Sequence, residues 1–222
     1  MLSVVILISG RGSNMEAILN AKLPLTVKAV ISNKASATGL QIARAAGTET
    51  RVVDHLAYPS REAFDDALLK TITEYVPDLV VLAGFMRVLT AQFIDQLHGR
   101  VINIHPSLLP SFPGLHTHQR AIEAGVKVHG ATVHFVTAQL DHGPIIAQAA
   151  VPVLAGDDPD ALATRVLAQE HILYPNVLRR FASGELAIPW RADPSVLQSA
   201  VPRVVQDPTL TTGSASLRAP WN

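Results

Sequence analysis

Cysteine is missing from all 222 residues. A disulfide scaffold, a cysteine nucleophile and a zinc–thiolate site are excluded together. Net charge is missing as well: 18 Lys and Arg stand against 18 Asp and Glu, with no block of like charge. That excludes the electrostatic footprint of a protein that wraps duplex nucleic acid or lies on a membrane through a polybasic face. It leaves room for a small anion, which needs only a few placed donors. Nor is there a segment long enough to cross a bilayer. Met1-Leu2-Ser3 leads into an apolar run over residues 4–8 that has no basic stretch before it and stops at Ser9-Gly10. This is too short for a signal-peptide core and reads as a buried strand. Internal repeats and heptads are absent too. We expect a cytoplasmic protein without a nucleic-acid or membrane partner.

What is present is a hydrophobic content of 48%, ample for a core in a chain the length of one large domain or two very small ones. Short β-branched runs over residues 4–8, 27–31, 51–53, 79–82 and 101–104 read as strands. The first, fourth and fifth are almost unbroken Val, Ile and Leu, as in parallel strands covered on both faces. Segments of helical period lie between them, at about 14–21, 38–46, 60–75 and 90–97. The alternation predicts an α/β fold with an open, doubly wound, mainly parallel sheet. After residue 128 two strands, 130–136 and 145–153, follow one another without a helix, so this C-terminal part is expected to be antiparallel or mixed. A long helix then starts with Asp158 as N-cap and Pro159 at its first position, its apolar stripe made of Leu162, Val166, Leu173, Val177, Leu178 and Phe181. We expect one domain over residues 1–187. Residues 188–222, broken by five prolines, form a peripheral or flexible extension that Trp190 could dock.

Ser9-Gly10-Arg11-Gly12-Ser13-Asn14 follows the first strand and opens a helix. Two readings stand side by side: a tight turn with Ser13 or Asn14 as N-cap, or a cradle of backbone N–H groups for an anion at the helix N-terminus. Neither the Walker A pattern nor a complete dinucleotide fingerprint is present, since Met15 stands where a third glycine is required. Position favours a ligand, because open α/β sheets bind at the carboxyl ends of their strands.

Val101-Ile102-Asn103-Ile104-His105-Pro106 is the most informative stretch. Side chains alternate along a strand, so Asn103 and His105 share one face and Ile102 and Ile104 the other. Two polar groups on one face of a buried strand call for a reason, and Pro106 ends the strand just after them. A satisfied structural pair and a reactive pair both fit this pattern.

Asn103-Ile104-His105-Pro106-Ser107-Leu108-Leu109-Pro110 with Phe112-Pro113-Gly114 resembles the formyltetrahydrofolate-dependent formyltransferases. So do Gly10-Arg11-Gly12-Ser13-Asn14, Ser32-Asn33-Lys34, Ala83-Gly84-Phe85-Met86-Arg87, His116-Thr117-His118 and Leu140-Asp141-His142-Gly143-Pro144. These stretches are collinear with the family from about residue 3 to 187.

The resemblance implies a Rossmann-like fold and a purine-biosynthetic transfer of a formyl group from 10-formyltetrahydrofolate to the amine of glycinamide ribonucleotide, with no metal. It assigns Asn103, His105 and Asp141 to the chemistry. Attack of an amine on an N-formyl group builds an oxyanion, which needs aimed donors. Asn103 and protonated His105 would supply them, and His105 would also protonate the departing folate nitrogen. Asp141 would raise the His105 pKa; read alone it is a turn residue. Gly12, Ser13 and Asn14 match the loop that holds the ribonucleotide phosphate, and Glu170 matches the contact to its sugar hydroxyls. Arg61, Met86, Arg87, Val88 and Leu89 match residues on the folate side, where Asn103 also stands. Glu170 has an argument of its own: it interrupts the apolar stripe of the last helix, where a carboxylate needs a partner or a ligand. One departure is His142, where the family commonly has glycine, a second imidazole that could compete for Asp141.

His116 and His118, two apart on a loop, make a weak metal pair, and His129 and His134 read as including one core or cleft residue. A homodimer is left open. Three other activities compete with the transferase reading. Hydrolysis of formyltetrahydrofolate goes with an extra N-terminal domain, whereas this chain starts at its first strand. Formylation of methionyl-tRNA goes with a basic C-terminal domain, and few basic residues stand here. A non-catalytic binding module would not need Asn103, His105 and Asp141 together.

Overall fold

The computed structural model describes residues 1–97 and 99–188. The extension beyond Ile188, and with it Trp190, lies outside the described residues.

Seven strands form one sheet. In chain order the elements are β1 (Leu2–Ile8), α1 (Ser13–Asn20), β2 (Leu25–Ser32), α2 (Gly39–Ala45), β3 (Thr50–Val52), a 3-10 turn (His55–Ala57), α3 (Arg61–Thr73), β4 (Leu79–Leu82), α4 (Ala91–Gln96), β5 (Val101–His105), α5 (Thr117–Glu123), β6 (Val128–Phe135), β7 (Ile145–Pro152) and α6 (Pro159–Ser183). The sheet order is β3-β2-β1-β4-β5-β6-β7. The first five strands are parallel, and β6 and β7 are antiparallel to their neighbours, as the change of rhythm after residue 128 predicted. The order reverses between β1 and β4, which makes the crevice at their carboxyl ends the place for a ligand.

The sheet divides the core in two. On one face α1, α2, α5 and α6 cover Val4, Ile6, Ile8, Ile102 and Ile104. On the other, α3 and α4 cover Val5, Leu7, Val80, Leu82 and Val101. Consecutive residues of β1 and β5 thus enter opposite cores, as strand alternation requires.

Side-chain caps start three of the helices. The Ser60 hydroxyl accepts from Ala63 N at 3.2 Å, Thr90 Oγ1 from Phe93 N at 3.2 Å, and Asp158 Oδ1 from Ala161 N at 2.7 Å. Helix α1 departs from expectation: its N-cap is Gly12, in the left-handed region at φ 73°, with neither Ser13 nor Asn14 capping it. Helix α5 is a second departure, since residues 116–118 read as loop. Seven residues opened by a left-handed His116 (φ 56°) leave too short an apolar pattern to register. Among the described residues no helix is long and apolar enough to cross a membrane.

Candidate active site

Strand β5 carries Asn103 and His105 to its carboxyl end, on the face away from Ile102 and Ile104. Antiparallel β6 sets His134 opposite Asn103 and Thr132 opposite His105. Directly opposed residues share a face, so the two strands present a polar cluster to one side.

Hydrogen bonding fixes the protons of that cluster. His134 Nδ1 lies 2.9 Å from the Phe135 carbonyl oxygen, which can only accept, so Nδ1 carries a proton. Burial lowers the His134 pKa and keeps the ring neutral, leaving Nε2 as an acceptor. Asn103 Nδ2 stands 3.2 Å from that Nε2 and donates to it. The amide is thereby oriented with its nitrogen inward, and its second N–H remains available.

His105 is 5% exposed, and its Nε2 donates to the Phe112 carbonyl at 3.0 Å. Nδ1 is then the nitrogen left for chemistry, and Asp141 Oδ2 lies 3.5 Å from it. Asp141 reaches this place from a turn in the left-handed conformation (φ 53°), and the same Oδ2 accepts from Gly114 N at 2.8 Å. Asp141 Oδ1 is 3.9 Å from His134 Nε2, too far for a hydrogen bond and, with that ring neutral, no ion pair. His142 turns elsewhere: exposed, it donates from Nδ1 to the Leu140 carbonyl at 2.7 Å. The extra imidazole leaves Asp141 to His105.

These groups border a cavity of about 650 Å³, whose lining includes Leu82, Phe85, Met86, Arg87, Val88, Leu89, Ile94, Asn103, His105, His134, Val136 and Asp141. A mostly apolar chamber of this size with a few converging polar groups suits a small organic molecule with an aromatic body. The wall from Met86 to Leu89 is fastened at both ends. Ser9 Oγ accepts from Met86 N at 2.8 Å and donates to Asn33 Oδ1 at 2.6 Å. Buried Asp65, on α3, accepts from Thr90 N at 2.6 Å, and burial is the main cause of its raised pKa. Arg61 does not line the cavity. It is exposed at the first residue of α3, one turn before Asp65.

A second group forms where β1 meets α1. A side chain at Gly12 would meet Met15 Cε at 2.9 Å and the Gly39 backbone at 3.1 Å, so the close turn requires glycine there. Ser13 is the first helical residue, and the buried Asn14 donates from Nδ2 to Glu170 Oε2 at 2.7 Å. The resemblance read Asn14 and Glu170 onto the same substrate, and 156 residues of sequence separate them. Burial raises the Glu170 pKa, partly opposed by that bond, while Asn14 Oδ1 has no partner.

Both β6 histidines are buried, His129 at 1% and His134 at 2% exposure. His134, the partner of Asn103, could have been singled out by the criterion that found Asn103: a polar side chain facing inward on a buried strand. His118 and His129 meet edge to face, 5.3 Å between ring centres, and His118 Nδ1 and His129 Nε2 are unpartnered. Among the described residues no cluster of three or more His, Asp or Glu is arranged to hold a metal.

Residues 2–178 match the formyl transferase family. The chain is 53% identical over 189 residues to the phosphoribosylglycinamide formyltransferase of Escherichia coli (strain K12), covering 83% of this chain and 89% of that one. It is 47% identical to the trifunctional purine biosynthetic protein adenosine-3 of Gallus gallus, of which it spans 19%. Among solved structures, glycinamide ribonucleotide transformylase 1 from Symbiobacterium toebii superposes with a TM-score of 0.82 at 51% identity, over 85% of this chain and 91% of that one. The chain belongs to the formyl transferase family.

Proposed function

We propose that this enzyme transfers the formyl group of 10-formyltetrahydrofolate to the amine of glycinamide ribonucleotide in purine biosynthesis, and that residues 1–187 act as one catalytic domain. The observation that carries the reading is the convergence of the Asn103 amide, His105 Nδ1 and the Asp141 carboxylate at the rim of one cavity.

The amine nitrogen attacks the formyl carbon, and the carbonyl electrons move onto oxygen. The free Asn103 N–H and an N–H on His105 Nδ1 donate to that oxyanion. Asp141, 3.5 Å from Nδ1, offers a negative charge to the imidazolium form. The bond from the formyl carbon to the folate nitrogen then breaks, and that nitrogen takes the proton from His105. The oxyanion electrons re-form the carbonyl as that bond breaks. The attacking nitrogen, positively charged after attack, passes its extra proton to His105, which restores the imidazolium. The amine thus loses one proton and the folate nitrogen gains one. The attacking amine is itself a competent nucleophile, so no enzyme-bound formyl group is required.

The folate sits in the 650 Å³ cavity against Met86, Arg87, Val88 and Leu89, with Arg61 beyond the rim. The ribonucleotide phosphate rests on the N–H groups of Gly12, Ser13 and Asn14, aided by the positive end of α1. Glu170 accepts from the sugar hydroxyls beside Asn14.

The test is an assay of formyl transfer that follows both products. Formate without formylated ribonucleotide would overturn the reading in favour of a hydrolase. His105→Ala should lower kcat by at least about 100-fold with both KM values little changed.

A further inference from the structure

Tyr174 is fully buried on α6, in the core of the α1, α2 and α6 face. Its hydroxyl lies 3.0 Å from the Leu82 carbonyl oxygen and 3.2 Å from that of Ile102. A phenol has one proton to give, so the bond is shared between two strands. Leu82 and Asn103 are the last cross-strand pair of β4 and β5, and both line the cavity. The Ile102 carbonyl belongs to the peptide that carries the Asn103 nitrogen. The hydroxyl therefore binds where the β4–β5 pairing ends, directly behind Asn103. One turn earlier on α6, Glu170 accepts from Asn14. Residues four apart lie on one helix face, so a single helix touches both the acceptor loop and the strand of the oxyanion donor.

A phenylalanine would fill the same apolar volume without a polar group to bury. We propose that Tyr174 is a positioning residue for the transfer step: its hydroxyl fixes the Asn103 peptide against α6 and so sets the distance from the acceptor at Asn14 and Glu170 to the oxyanion donor. The inference rests on the formyl transfer at Asn103 proposed above. It concerns geometry, and a displacement of order 1 Å at a reacting centre costs up to about 100-fold in rate.

The test compares Tyr174→Phe with Val177→Ala, a purely apolar change in the same helix and core. For Tyr174→Phe we expect kcat to fall by about 10-fold, both KM values to stay within about twofold, and amide exchange to quicken across residues 101–105. Val177→Ala should lower Tm at least as much while keeping kcat within about twofold. Unchanged exchange at 101–105 in Tyr174→Phe overturns the positioning role whatever the activity, as does wild-type kcat. Equal loss of kcat in both variants overturns it too, since stability alone then explains the rate. If the wild-type protein transfers no formyl group, the function fails, while the exchange measurement still decides the role of Tyr174.

Discussion

Asn103 gives one amide proton to His134 and keeps the other for the cavity. The bond at 3.2 Å exists because the Phe135 carbonyl takes the proton of the other ring nitrogen, so the orientation of Asn103 is inherited from the backbone of β6. Removing the ring should let the amide turn. We expect His134→Ala to lower kcat by roughly 10- to 100-fold while leaving the ribonucleotide KM near its original value. Steady-state kinetics with each substrate varied in turn would show this, and a change confined to KM would contradict it.

Acid should destabilise the fold before it titrates the carboxylates. Burial holds His129 down to about 4 and lowers His118 and His134 as well, against 6.5 in the unfolded chain. The unfolded state then binds more protons than the folded one, so stability falls as pH drops from about 6.5 towards 4. Urea unfolding at pH 7 and pH 5 should show a clear loss, and His129→Gln should reduce its size. A slope unaffected by that substitution would remove His129 from the cause.

Glu170 is expected to trade stability for binding. Burial raises its pKa above 4.5, so the folded state bears a cost that grows as pH rises through that window and the carboxyl ionises. Glu170→Gln removes the charge and brings an amide that can donate to the unpartnered Asn14 Oδ1. We expect a Tm higher by a few degrees at pH 7, together with a ribonucleotide KM raised roughly tenfold. Calorimetry and kinetics on one preparation would test both halves; a lower Tm would show that the charge is stabilising.

Asp65 should matter to the folate without touching it. It holds Thr90 N, where the wall from Met86 to Leu89 turns into α4. Asp65→Ala leaves that N–H without its acceptor, and we expect stability to drop by about 1–3 kcal/mol. The folate KM should rise severalfold while the ribonucleotide KM holds. Equal rises in both would place the effect in the fold at large.

Legibility in the sequence followed the range of the forces involved. β4 and β5 could be read almost to the residue, and β1 apart from its first two residues, because strands covered on both faces leave unbroken β-branched runs. Asn103 and His105 were visible for the same reason, as polar interruptions of such a run. Asp141 was not, since a left-handed turn 36 residues beyond His105 brings it in, and no local pattern encodes that return. Nor could alternation show that the Asn103 amide depends on His134, because register between β5 and β6 is a tertiary fact. A cap by Ser13 or Asn14 stayed one of two open readings of that loop because both are good caps in isolation, whereas the close approach of Gly39 to the loop selects the left-handed Gly12.

The sheet that splits the core also partitions the protein's capacity to evolve. Leu82, Phe85, Leu89 and Ile94 belong both to the α3–α4 core and to the cavity wall, whereas among the described buried hydrophobic residues of the opposite core Ile104 alone lines it, next to Thr117 and His118 of α5. Drift on the α3–α4 side therefore reshapes directly the pocket proposed for the one-carbon donor. Drift on the α6 side reaches that pocket less directly, through Ile104, α5 and the carbonyls that Tyr174 holds, and is expected to be felt at the proposed acceptor site through Glu170 and Asn14. The two proposed specificities of one enzyme can diversify largely on separate faces of the same sheet.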